Sequence, residues 1–315
     1  MENSIRFSVV IPLYNKENYV EATLKSVLNQ RYENFEILIV NDCSTDSSLE
    51  KVNSFIDKRI KIIQHPINKG LSASRNTGIQ NATADYVAFI DADDLWKPTF
   101  LEKMNSLIGT YQNQTSVFAS TYEITFGEER KVMFPFPLLG INSEGIIQNF
   151  FSTSLGYNYY CMSSICANKK LFDDIGYFDE RINYSEDVDF NIRLNLKHKV
   201  AFINEPLATL NFISENQITH SKLSGKVIPD YDFYEDQNPN NKELKKYLDF
   251  HRYVKAKLLK MENNNDGFKK LKSRIDTKNL NWKQKLLLRL PQFVLKTIYV
   301  SKRKLLQKGI NVSSY

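Results

Sequence analysis

Cysteine is scarce. Cys43, Cys161 and Cys166 are the three present in 315 residues. Their number is odd and no pair has metal-ligand spacing, which argues against a disulfide framework and fits a reducing cytosol. Long apolar runs are missing too: none approaches the roughly twenty residues that cross a bilayer. Met1-Glu2-Asn3-Ser4 lacks a basic leader region, so no cleaved signal is expected. There is no internal repeat and no long low-complexity tract. What remains is 42% hydrophobic and 12% aromatic, enough for a sizeable core.

The net charge of +6 hides an asymmetry. Residues 1–241 hold 22 Lys+Arg against 31 Asp+Glu, whereas residues 242–315 hold 20 against 5. An acidic body with a basic tail predicts that the tail meets an anionic surface.

Phe7-Ser8-Val9-Val10-Ile11 reads as a first strand stopped by Pro12. Residues 17–30 have helical spacing, and Phe35-Glu36-Ile37-Leu38-Ile39-Val40 is a second strand. A helix over 48–56, a strand at Ile60-Lys61-Ile62-Ile63, a helix over 70–82 and the strand Tyr86-Val87-Ala88-Phe89-Ile90 follow. Ser72 and Ser74 are the candidate caps of the third helix. This alternation predicts an α/β fold with a doubly wound, mostly parallel sheet and helices on both faces. Phe134-Pro135-Phe136-Pro137 reads as a loop, 169–175 and 187–197 as helices, and the polar stretch 230–241 as a linker. Residues 242–261 read as a helix stopped by Asn263-Asn264-Asn265-Asp266-Gly267. The expected division is a domain over 1–229 and a basic helical extension over 230–315.

Asp91-Ala92-Asp93-Asp94 closes the fourth strand with three carboxylates. Such a cluster repels itself unless a cation neutralises it, and a hard divalent ion that also holds phosphates is the usual solution. In an open parallel sheet, ligands bind beyond the carboxyl ends of the strands. Pro12-Leu13-Tyr14-Asn15, Asn41-Asp42 and the aspartates all sit at such ends. A solvated acidic turn that caps the next helix is the plainer alternative.

The segments Val9-Val10-Ile11-Pro12-Leu13-Tyr14-Asn15, Val40-Asn41-Asp42-Cys43-Ser44-Thr45-Asp46, Asn68-Lys69-Gly70 with Arg75-Asn76, and Asp91-Ala92-Asp93-Asp94 together resemble the family 2 glycosyltransferases of GT-A fold. So do Gly176-Tyr177-Phe178-Asp179-Glu180 and Ser185-Glu186-Asp187-Val188-Asp189-Phe190. The resemblance covers roughly 5–221 and leaves the tail uncovered. It implies inverting transfer of a sugar from a nucleotide donor, expected to be a UDP-sugar, to a glycan or lipid-linked acceptor in bacterial surface-polysaccharide synthesis.

Carried onto this chain, it places the donor against Pro12, Tyr14, Asn15, Asp42, Asn68, Lys69, Arg75, Asp91 and Ala92. It places Mn²⁺ or Mg²⁺ on Asp93 and Asp91, and the catalytic base on Asp187 with Glu186 beside it. At the family's later motif, where Arg and His often occur, Phe212 and Ser214 stand here; the nearby His220 either substitutes or is a structural or exposed histidine.

Alternatives stay open. Arg75 pairs either with a diphosphate or with an acid such as Asp91. Asp42 either recognises a base or caps a helix, as Ser44 and Asp46 do. Trp96 reads as packing, and Tyr157-Asn158-Tyr159-Tyr160 as an acceptor wall or an ordinary aromatic loop. Residues 282–306 interleave apolar and basic side chains about Pro291, as a membrane-surface segment does; a packed helical hairpin is the rival. The first reading puts the protein in the cytoplasm, attached peripherally to the inner face of the plasma membrane, with no nucleic-acid partner. A non-catalytic donor-binding or scaffold module is the second functional reading. A nucleotidyltransferase is the third, and would want a glycine-rich phosphate loop where Pro12-Leu13-Tyr14-Asn15-Lys16 stands.

Overall fold

In the computed structural model, residues 5–126, 131–133, 136, 139–156, 158–215, 217–218 and 221–307 are described. In chain order the elements are β1 (Phe7–Leu13), α1 (Val20–Leu28), β2 (Phe35–Asn41), α2 (Ser48–Asn53), β3 (Ile60–Gln64), α3 (Leu71–Asn81), β4 (Tyr86–Phe89), β5 (Leu95–Trp96), α4 (Phe100–Tyr111), β6 (Val117–Thr125), β7 (Lys131–Met133), β8 (Glu144–Ile147), α5 (Phe150–Thr153), β9 (Ile165–Asn168), α6 (Leu171–Ile175), α7 (Glu186–Lys197) and β10 (Val200–Asn211). Then come α8 (Tyr231–Gln237), α9 (Lys242–Met261), α10 (Asn265–Ser273), α11 (Trp282–Arg289) and α12 (Gln292–Gln307). They form two compact units. One comprises Met1–Gln148 with Tyr159–Gln217, the other Asn149–Asn158 with Ile218–Tyr315.

The first unit is built on one mixed sheet ordered β3-β2-β1-β4-β9-β6-β10-β5. β3, β2, β1 and β4 run parallel, β9 reverses direction, and β6 pairs parallel with β10. Every residue of β1 and β2 is buried, as expected of strands covered on both faces. Phe7, Val9, Ile11 and Leu13 join the core under Val20, Leu24 and Val27 of α1 and Phe100, Met104 and Ile108 of α4. The opposite face meets α3, where a Cβ on Gly78 would lie 2.3 Å from Val10 Cγ1. Only glycine permits that approach.

Pro12 does not stop the first strand. Val10's carbonyl accepts from Ile90 N, so its side of β1 faces β4. Two residues on, β4 has ended, and the missing N–H of Pro12 leaves no ladder partner wanting.

β2 and β3 lie to one side of β1 and β4 to the other. The order therefore reverses at β1, and the carboxyl ends of β1 and β4 open a crevice of the kind that binds ligands in such sheets.

The second unit is helical and centred on α9. Phe250, Tyr253, Ala256 and Met261 pack with Ile275, Leu280, Leu287, Leu288 and Leu295. The stretch read as a polar linker instead contains α8. Asp230 caps it by accepting from Asp232 N and Phe233 N, and the wholly buried Arg252 binds it through Asp232 at 2.7 Å and Glu235 at 2.6 Å. The asparagine run does stop α9, but its last residues open α10, with Asn264 as cap. Pro291 separates α11 from α12, as expected.

Candidate functional site

The first two βα loops are one construction. Asn15 has a left-handed backbone, φ 50°, and Cys43 another, φ 64°. These turns face each other's polar groups. Asn15 N donates to Ser44 Oγ at 3.2 Å, and Thr45 N donates to Asn15 Oδ1 at 2.8 Å. Lys16 N donates to Ser48 Oγ at 2.7 Å, and Glu17 N to Asp46 Oδ2 at 3.0 Å. Pro12 is buried at the end of β1, whereas the Tyr14 ring stands 44% exposed beside this brace. Asn15, Ser44 and Asp46 are thus loop-to-loop ties.

Asp42, the residue after β2, has both carboxylate oxygens hydrogen-bonded. Lys69 N donates to its Oδ1 at 2.8 Å and Gly70 N to its Oδ2 at 2.7 Å. A carboxylate at the start of α3 suits the helix dipole. Gly70, at φ 90°, makes the turn possible. The capping serines expected at 72 and 74 have other partners: Ser72 Oγ donates to Ile182 O and Ser74 Oγ to Gly70 O. Asn68 Nδ2 donates to the Asp42 carbonyl, while the Asn68 and Lys69 side chains lie at the surface. The sequence reading missed His65. Its Nδ1 lies 2.7 Å from Asp42 Oδ1, a buried contact, and its Nε2 2.9 Å from the half-buried Thr77 Oγ1.

Arg75 meets the acid partner that was one of its two alternatives. It is buried on α3 and joins two carboxylates, Asp91 Oδ1 at 2.9 Å and Glu186 Oε1 at 3.0 Å. Burial alone would lower its affinity for a proton; the charges of Asp91 and Glu186 reverse that and raise it. Burial raises the Glu186 pKa, against the pull of Arg75. The turn into α7 is set by Ser185 at φ 63°. The helix thus starts with Glu186 buried on Arg75 and Asp187 half-buried beside it. The Asp187 carboxylate accepts no hydrogen bond among the described residues.

The aspartates after β4 divide their work. Asp94 is structural: Ser163 Oγ donates to its Oδ2 at 2.5 Å and Asn211 N to its Oδ1 at 3.1 Å. Burial, then the charges of Asp93 and Asp91, push its pKa well up. Ala92 is buried among core residues. Trp96 packs on Phe100 and donates from Nε1 to Ser163 O. Asp93 is held by Lys16, whose Nζ lies 2.7 Å from its Oδ2, and by the Ser214 hydroxyl.

This arrangement bears on the expected Mn²⁺ or Mg²⁺. Asp93 is already neutralised by the Lys16 ammonium and Asp91 by Arg75, so a divalent ion would have to compete with a cation at each carboxylate. Among the described residues, no cluster of three or more His, Cys, Asp or Glu side chains is arranged to hold a metal. The donor set at Asp91 and Asp93 does not fit a divalent ion while Lys16 holds its place.

Thus Pro12, Tyr14, Asn15, Asp42, Arg75, Asp91, Ala92, Asp93, Glu186 and Asp187 all belong to the first unit. Arg75 connects the aspartate turn to α7. Lys16, His65, Ser163 and Ser214 were missed, because each acts through a partner distant in sequence. Tyr160 is buried and accepts from Asn195 Nδ2, and Tyr159 lies edge-on to Phe136. Tyr157 and His220, with Phe134, Pro135 and Pro137, lie outside the described residues.

Comparison with known proteins decides the family. The model of "Glycosyl transferase family 2" matches residues 8–168, which contain every motif from β1 to β9. The chain belongs to glycosyl transferase family 2. Among family 2 relatives, it is 30% identical over 303 residues to the amylovoran biosynthesis glycosyltransferase AmsB of Erwinia amylovora, covering 87% of this chain and 98% of that one. Escherichia coli WfgD, a UDP-Glc:α-D-GlcNAc-diphosphoundecaprenol β-1,3-glucosyltransferase, is 38% identical over 117 residues, 37% of this chain and 46% of that one. The chain spans only 29% to 46% of the length of several other curated relatives. S. aureus TarS 1–349 in complex with UDP shares the fold, with TM-score 0.54 and 21% identity over 83% of this chain and 71% of that one. The doubly wound, GT-A-like domain with a helical C-terminal part is therefore the architecture of this chain.

Proposed function

We propose that this protein transfers a sugar, with inversion, from a UDP-sugar to a glycan or lipid-linked glycan during bacterial polysaccharide synthesis. The observation that carries the reading is the Arg75 bridge, which ties Asp91 beyond β4 to Glu186 at the start of α7. A donor-site carboxylate and the candidate base segment are thereby held in one frame at the strand ends. Tyr14 offers an exposed ring for the nucleobase, and Asp42 fixes the 68–70 turn beside it. The names of WfgD and TarS favour UDP as the carrier, and those of WfgD and AmsB favour a growing polysaccharide or its lipid carrier as acceptor.

In this reading Asp187 is the general base. It takes the proton from the acceptor hydroxyl as that oxygen bonds to the anomeric carbon, and the bond from that carbon to the diphosphate breaks. The electron pair leaves with the nucleoside diphosphate. Glu186, committed to Arg75, positions the start of α7 rather than moving the proton. Holding donor and acceptor in line removes much of the entropic barrier. The Mn²⁺ or Mg²⁺ that the resemblance implies at Asp91 and Asp93 would have to displace Lys16, and no step here depends on it.

The tail supports attachment to the inner membrane face. On α11 and α12, Trp282 is 70% and Phe293 69% exposed, with Leu286, Tyr299 and Val300 exposed as well. Lys283, Arg289, Lys296 and Lys304 are also at the surface. Apolar and cationic side chains in one exposed segment suit an anionic bilayer surface. No helix among the described residues is long and apolar enough to cross it.

The test is to incubate the protein with radiolabelled UDP-sugars and a bacterial lipid extract. Label moving into the lipid or glycan fraction supports the reading; no transfer from any UDP-sugar contradicts it.

A further inference from the structure

Lys16 stands where the sequence alone would put nothing of note, one residue past the motif at the end of β1. Its ammonium makes three contacts: Asp93 Oδ2 at 2.7 Å, the Glu215 carbonyl at 2.7 Å and Ser214 Oγ at 3.4 Å. Ser214 bonds the same Asp93 oxygen. The three donors of a lysine are therefore satisfied by three acceptors. Its side chain is 11% exposed and that of Asp93 8%, so the pair is shielded from water and screened little by salt.

The position is prepared from the backbone outward. The left-handed turn at Asn15 and the bond from Lys16 N to Ser48 Oγ fix where the side chain departs. That departure point is the carboxyl end of β1. Asp93 comes from the turn beyond β4, across the crevice where the sheet reverses its order. Lys16 therefore bridges the two strand ends between which a sheet of this kind takes its ligand. Two of its three partners, the Glu215 carbonyl and the Ser214 hydroxyl, are neutral. An anionic oxygen can replace either of them without leaving a charge unpaired.

We infer that Lys16 is the cation of the donor site. Anchored on Asp93, its ammonium exchanges the Glu215 and Ser214 contacts for oxygens of the donor's diphosphate, and so takes the place of a divalent metal. The inference rests on the nucleotide-sugar reading above and departs from the family resemblance in one respect: nucleotide binding needs no Mn²⁺ or Mg²⁺. A lysine is well suited to the task, because it binds phosphate as a compact point charge and its flexible stem lets it change partners.

The experiment is calorimetric titration of the intact protein with UDP and with uridine, in chelator and in Mn²⁺, for wild type and Lys16→Gln. The expected result for wild type is a UDP affinity equal within about twofold in the two buffers. Lys16→Gln should lose at least tenfold in UDP affinity in both buffers and keep its uridine affinity, which a merely misfolded or loosened loop would not do. A wild-type affinity that falls tenfold or more in chelator overturns the inference and leaves the donor reading standing. So does a Lys16→Gln protein that binds UDP in chelator as wild type does. No binding of UDP in either buffer removes the UDP-donor reading, and the inference with it.

Discussion

Arg75 on α3 donates to Glu186 at the start of α7 at 3.0 Å, although 111 residues separate them. The same guanidinium reaches Asp91. One buried cation therefore sets the relation between the aspartate turn and the helix that carries Asp187. Removing it leaves two carboxylates without their counter-charge. Arg75→Met is expected to destabilise the protein by about 3–5 kcal/mol, measured by denaturant unfolding. A loss under about 1 kcal/mol would show that the bridge is not a structural tie.

Asp187→Asn separates binding from chemistry. The substituted side chain keeps its size and cannot take a proton. Turnover should fall at least about 100-fold, in line with what general bases contribute. UDP affinity should stay within about twofold. A variant with near-normal turnover would remove Asp187 as the base.

His65 and Asp42 form a buried pair whose effect on the nucleotide is indirect. His65→Ala withdraws one of the two partners of Asp42 Oδ1, leaving the Lys69 amide, and frees Thr77 on α3. The expected result is a drop in UDP affinity of about fivefold, with Asp42→Ala costing more, because the Lys69 and Gly70 amides then lose their acceptor too. Equal affinities for His65→Ala and wild type would confine His65 to packing.

His251 gives the second unit an acid limit. It lies among Tyr247, Phe250 and Tyr231. Burial, with the nearby charge of Lys255, lowers its pKa to about 3. The folded pKa is depressed below the ordinary value of about 6.5, so the unfolded chain binds the proton first. The stability linked to it is complete above pH 6.5 and is lost as pH falls toward 3, by no more than about 5 kcal/mol. His251→Phe should flatten that part of the stability-against-pH curve. An unchanged curve would contradict the assignment.

The tail prediction follows from what the helices bury. Leu287, Leu288 and Leu295 are core residues of the second unit, so deleting the tail would expose that core. Surface changes are the cleaner test. Trp282→Ser with Phe293→Ser should lower binding to anionic vesicles at least tenfold, and moderate salt should weaken the wild-type interaction. Equal binding by the variant and wild type would favour a solvated basic face.

The strands and helices of the first half were readable because their apolar periods are strong and polar, turn-forming residues separate them. Pro12 misled, since its effect depends on where the neighbouring strand ends, a fact of register rather than composition. The polar stretch before α9 misled for a similar reason: Asp232 and Glu235 look solvated until Arg252 is placed against them. At the site, the carboxylates were visible as charges crowded on strand ends. Their partners were not. Lys16 and Ser214 are 198 residues apart and converge on one oxygen of Asp93, and neither has a local pattern that announces it.

The most direct test of the central claim is thermal denaturation of the protein with UDP, GDP, dTDP and their sugars. Selective stabilisation by UDP and UDP-sugars is expected, through binding to the folded state alone, together with its loss in Asp42→Ala. Stabilisation by none of these nucleotides would contradict the claim that the carboxyl ends of β1, β2 and β4 form a nucleotide-sugar site.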